Sequence, residues 1–136
     1  MLAPEVLEPA RRIVRFFETA DVSLLDGVFT DDAVLLESVS PYVFSGAAGV
    51  AEWAEQLLIH VGGHDGLRGS LGEPQELSTD EHTTAFCSLP VTWNFSLIDA
   101  EVEELGAMVL LLRKDRDAWR IARYAWAVVE VRRTLR

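Results

Sequence analysis

With 136 residues, nearly half of them hydrophobic and a quarter charged, the chain has the size and composition of a single globular domain spanning 1–136. Its net charge is −10, unevenly placed: residues 16–112 carry 17 acids and one base, Arg68, whereas 113–136 carry eight bases and three acids. An acidic body repels phosphate backbones and anionic membranes, which argues against nucleic acid and membrane as partners; no apolar run approaches the ~20 residues that span a bilayer.

The N-terminus lacks the basic-then-apolar pattern of a secretory signal. Cys87 is the sole cysteine, so no disulfide forms within the chain and a reducing, cytoplasmic location is expected. The C-terminal Arg132, Arg133 and Arg136 are read as paired with nearby acids or hydrated.

In chain order, the first predicted element is a helix opening at Pro9, with Ile13, Phe16, Phe17 and Ala20 on one face. Asp21 caps a short second helix, Val22 to Phe29. Thr30-Asp31-Asp32 reads as a turn and Ala33 to Ser38 as a strand. Ser45 caps a third helix from Gly46 to Val61, whose apolar face is Val50, Trp53, Ala54, Leu57 and Leu58; Gly62 and Gly63 end it. Four strands follow: Gly69–Leu77, Thr83–Leu97, Val102–Arg113 and Trp119–Val131, rich in β-branched and aromatic residues. Short polar separators, Ser78–Glu81 (with His82 beside it), Asp99–Glu101 and Lys114–Asp117, make successive hairpins. The expected fold is therefore α+β: three N-terminal helices on the concave face of a strongly curved antiparallel sheet, with Gly69, Gly72 and Gly106 permitting bends. Helices across a bent sheet enclose a cone-shaped space.

Arg15-Phe-Phe-Glu-Thr-Ala-Asp21, Phe29-Thr-Asp-Asp-Ala-Val34, the Gly46-to-Trp53 helix start, and Trp119-Arg-Ile-Ala122 with Trp126 follow one another in an order and spacing that resembles the nuclear-transport-factor-2-like superfamily. Within it, the chain is similar to the polyketide-cyclase (SnoaL-like) and ketosteroid-isomerase-like branch. The resemblance implies a cone-shaped α+β barrel around a ligand pocket, and it spans nearly the whole chain. It places the carboxylate base of such enzymes on Glu37. The tyrosine that would stabilise an oxyanion falls on Phe16, and the second acid falls in the aliphatic stretch Leu110–Leu112. Isomerisation by that oxyanion machinery is thus not expected.

Among candidate site residues, Glu37 ends an apolar strand. There it is either a general base with a pKa raised by burial or an exposed strand-end carboxylate. His60 is expected near the pocket mouth, and Tyr42 or His60 would polarise a substrate. His60 and His64 stand four apart, but Gly62-Gly63 between them breaks the helix, so no metal site is read and no cofactor is expected. Phe17, Trp53, Trp93, Phe95, Tyr124 and Trp126 are the aromatic candidates for the pocket wall, while aromatics at these spacings are also ordinary core. Tyr124 and Trp126 share one strand parity and Trp119 and Ile121 the other, so a bulge between the pairs would be needed to face both inward. Cys87 has no basic neighbour and reads as apolar filler.

The expected function is binding of a small apolar or aromatic molecule. It is accompanied either by isomerase, dehydratase or cyclase chemistry through a carboxylate base, or by no reaction at all, as in a non-catalytic ligand-binding, assembly or protein-interaction module. The outer sheet face, apolar in Val91, Leu110 or their neighbours of opposite parity, implies a homodimer.

Overall fold

A computed structural model describes residues 2–80 and 83–136; Glu81 and His82, read as part of a turn, lie outside the described residues. The first helix, α1, spans Pro4–Thr19. Pro4 opens it, where a missing amide costs nothing, so the expected start at Pro9 is too late. Val6, Ala10, Ile13, Phe16 and Phe17 form its buried stripe. Ala20 ends it in a left-handed conformation, its amide donating to the Phe16 carbonyl at 2.7 Å.

The expected second helix is only a 3-10 turn, Val22–Leu25. Asp21 caps it as read, accepting from the Ser23 amide at 3.0 Å. Gly27 then takes a φ of +74°, which redirects the chain into an extended segment. The first strand, β1 (Phe29–Leu36), consequently includes Thr30–Asp32, which is not a turn. Among the described residues two α-helices, not three, therefore pack on the sheet. After β2 (Val43–Ser45) comes α2, Gly46–Val61, with the bounds that its periodicity predicts.

Five further strands follow: β3 (Asp65–Leu71), β4 (Gln75–Asp80), β5 (Thr84–Ser96), β6 (Ala100–Asp115) and β7 (Ala118–Leu135). The single strand expected over Gly69–Leu77 is split between β3 and β4, because Pro74 has no amide to give a ladder. Both pieces pair with β5. The β6–β7 turn places Arg116 and Asp117 at φ +52° and +68°, the geometry of a tight two-residue hairpin.

Among the described residues the sheet has seven strands, in the order β2-β1-β7-β6-β5-β3, with β4 also paired to β5. It is mixed rather than wholly antiparallel, since β1 lies parallel to β7. The consecutive strands β5, β6 and β7 are hairpin neighbours, whereas β1, which pairs first with β2, meets its parallel partner β7 only after α2 and the other strands have intervened.

Curvature comes from bulges. The β6–β7 register slips between Leu111 and Leu112, where Ala122 is the extra residue, and again between Leu105 and Gly106. The first slip brings Ile121, Tyr124 and Trp126 opposite Leu112, Leu110 and Met108, all on one face. That resolves the conflict of parity along the last strand. At the second, Gly106 lies so close to Trp126 that a Cβ there would meet the indole ring at 2.6 Å and the Ala127 carbonyl at 2.3 Å. Glycine is the residue that lets this indole lie against β6.

Alternate residues of β5 and β6 (Ala85, Cys87, Leu89, Val91, and Met108, Leu110, Leu112) are buried beneath the helices. Burial pushes the Cys87 thiol up to about 11, in keeping with its reading as apolar filler. At the C-terminus, Arg132 pairs with Glu103 and Glu130, and Arg136 pairs with Glu101, so both arginines bind the protein's own carboxylates. No helix among the described residues is long and apolar enough to cross a membrane.

Candidate functional site

Strand parity carries Glu37 inward. Ala33 and Leu35 of β1 are buried, and Glu37, one step beyond the end of the strand, continues the same side with only 7% of its surface exposed. Its amide donates to the Tyr42 carbonyl at 3.0 Å, which fixes the residue at the start of the connection to β2.

Two side chains from other elements meet its carboxylate. Trp53 of α2 donates its indole N–H to Oε1 at 3.1 Å, and Tyr124 of β7 donates its hydroxyl to the same oxygen at 2.9 Å. The Ser38 amide reaches Oε2 at 3.3 Å. Trp53 is itself fully buried, ringed by Phe17, Phe29 and Tyr124 at centroid distances of 5.8, 5.6 and 5.5 Å in edge-to-face contact.

Desolvation raises the pKa of Glu37, and the three hydrogen bonds, which favour the charged form, only partly offset it. The Tyr124 hydroxyl is pushed well above its ordinary value by burial and by Glu37, so it remains a donor.

Glu37 stands at the wall of a cavity between the end of α2 and the inner sheet face that opens to solvent at its mouth. Phe17, Trp93, Phe95, Tyr124 and Trp126 line it, as do Leu57, Met108 and His60. The cavity therefore brings together Glu37, His60 and five of the six aromatic candidates. Trp53 lies behind the wall as a hydrogen-bond donor. Tyr42 is not brought in: it is 59% exposed at a φ of +72°, and the tight turn after Glu37 points it to solvent.

His60 sits in the last turn of α2, an exposed residue at the mouth. His64 follows it past the helix end, 5.7 Å away between ring centroids, and stacks flat on Phe95 at 3.9 Å. Burial and His60 lower the His64 pKa, which favours its neutral form. No group of three or more metal-ligating side chains occurs among the described residues.

One charged lining residue is absent from the candidates that the sequence singles out. Glu104 of β6 shares the inward parity of Val102 and Met108, and desolvation raises its pKa. Its signal is a carboxylate at an inward position of an otherwise apolar strand face, the same signal that marks Glu37.

The direction of the Glu37 shift sets a pH dependence of stability. Below the ordinary glutamate value of 4.5, folded and unfolded chains both hold the proton and the contribution of this group is fully present; it is lost as pH rises through the raised folded pKa. In urea unfolding across this range, wild type should lose about 1.4 kcal/mol relative to Glu37→Gln for each unit by which the pKa is raised. Parallel stability profiles for the two proteins would contradict the assignment.

No family model matches the chain, and no curated protein matches it. Solved structures do. Hexachlorocyclohexane dehydrochlorinase LinA-type3 from Novosphingobium barchaimii superposes with a TM-score of 0.80 at 7% identity, covering 96% of this chain and 88% of that one. A candidate scytalone dehydratase from Novosphingobium aromaticivorans gives 0.71 at 14% identity, with 94% of this chain and 86% of that one covered. A candidate calcium/calmodulin-dependent protein kinase II association domain from Xanthomonas campestris gives 0.73 at 15%, with 95% and 89% covered. At such identities the likeness is one of fold. The chain has the nuclear-transport-factor-2-like fold.

Proposed function

We propose that the cavity binds a small apolar or aromatic molecule and that Glu37 exchanges a proton with it, His60 supplying a hydrogen bond at the mouth. The observation that carries this reading is the buried Glu37 carboxylate at the wall of an aromatic-lined space, with its pKa raised. A carboxylate in that setting is a stronger base than an exposed one and can take a proton from a carbon acid near neutral pH. Two fold relatives are named for eliminations, a dehydrochlorinase and a dehydratase, which accords with a proton-abstracting site. The chemistry belongs to the isomerase, dehydratase or cyclase class and uses no cofactor. The lone thiol, buried and without a partner cysteine, suits a cytoplasmic protein.

The second reading, a non-catalytic binding or assembly module, is favoured by a different observation. Glu37 Oε1 is already engaged by Trp53 and Tyr124, the satisfied state of a structural carboxylate, and one fold relative is a candidate association domain. The two readings separate in a solvent-exchange experiment. Aromatic ketones found by ligand-dependent thermal shift are incubated with the protein in D₂O and followed by NMR. Wild type should wash deuterium into the carbon adjacent to the carbonyl, and Glu37→Gln should lose at least about a hundredfold of that rate while still binding. Ligands that bind both proteins with no exchange in either would favour the binding module.

We also propose a homodimer through the outer sheet face. Val91 and Leu110 are buried on the inner face, so the outward parity belongs to their neighbours, and Phe86, Ala107, Val109 and Leu111 share it with the exposed Leu36 and Ala127. No helix of the described residues covers that side, and a two-fold partner is the commonest way to remove such a face from water. Light scattering at tens of micromolar, roughly the range in which a stable interface persists, should give twice the chain mass; the monomer mass would overturn the dimer.

A further inference from the structure

The cavity of the proposed function is lined by two carboxylates and two imidazoles. Glu37 lies where β1 ends and Glu104 on the β6 wall, and among the described residues neither lysine nor arginine lines the space. Burial raises the pKa of both carboxylates, and the nearby charge that eases each of them is His60. The other imidazole, His64, is pushed toward its neutral form.

Around these groups stand the rings of Phe17, Trp93, Phe95 and Trp126. Aromatic faces present their negative quadrupole to a cation, and a carboxylate partly withdrawn from water gains more from a cation than an exposed one does. The net charge of −10 draws cations toward the molecule and disfavours an anionic ligand.

We propose that the cavity takes a small arylalkylamine in its protonated form, its ring against the aromatic wall and its ammonium group on Glu104. This inference rests on the proposed small-molecule reading and names the chemical class of its ligand. It assigns Glu104 as the residue that selects for positive charge. His60 lies near both carboxylates.

Three probes of similar shape separate charge from fit: 2-phenylethylammonium, 2-phenylethanol and 3-phenylpropionate, titrated into the full chain by calorimetry at a pH where both carboxylates are ionised. The ammonium should bind about tenfold more tightly than the alcohol, and the carboxylate more weakly than either. In Glu104→Gln the ammonium should fall to within about twofold of the alcohol. Circular dichroism shows that the variant is folded. Equal affinity of ammonium and alcohol for wild type, or a preference that survives in Glu104→Gln, would overturn the charge assignment while leaving the cavity as a binding site. Failure of all three probes to bind would instead remove the small-molecule reading, and this inference with it.

Discussion

A carboxylate held away from water, bonded by donors from two other elements, is the polar centre of this fold. Removing an ionised carboxyl from water costs several kcal/mol even after relaxation, so it persists only where donors replace the lost hydration. Trp53 and Tyr124 are those donors, converging on one oxygen of Glu37 from α2 and from β7. Because Glu37 itself follows β1, a single polar contact ties the first strand, the second helix and the last strand together. The position of α2 across the sheet is set by this contact and by the rings packed around Trp53, and the cavity is the space left beyond them.

The far wall of that space depends on backbone irregularity. Ala122, the extra residue of β7, lets Ile121 and Tyr124 both turn inward, and Gly106 makes room for the Trp126 indole. Without the first bulge, the alternation of a regular strand would put Ile121 and Tyr124 on opposite faces. The same β7 thus supplies a donor to Glu37 and a ring to the cavity wall. The sequence along it is correspondingly irregular in its hydrophobic pattern.

Much of this architecture is legible in the amino-acid sequence. The α2 periodicity gives both its bounds and its inward face, and the β5–β6–β7 hairpins follow from short polar separators between long apolar runs. Glu37 is legible too, as a carboxylate in step with Ala33 and Leu35. What the sequence hides is non-local. Nothing in β1 says that its second partner, beside β2, is β7 or that this pairing is parallel, since that strand arrives only at the end of the chain. The 3-10 turn after Asp21 carries the capping signal of a full helix, and its early end depends on the left-handed Gly27. Tyr42 has the right chemistry for a polarising group, but the tight turn that holds the Glu37 amide rotates it to solvent. Glu104 is hidden because acids crowd β6 at positions 101, 103 and 104, and only the sheet register separates the inward one from its neighbours.

The Trp53 indole N–H is a built-in reporter of the Glu37 carboxylate, because it donates to Oε1 from a site with no exposure to solvent. Its ¹H–¹⁵N resonance should shift with pH along a single titration centred above the ordinary glutamate value of 4.5, and the shift should vanish in Glu37→Gln. A Trp53 resonance that titrates at or below 4.5, or one that titrates unchanged in the variant, would contradict a buried, proton-exchanging carboxylate at the heart of this fold.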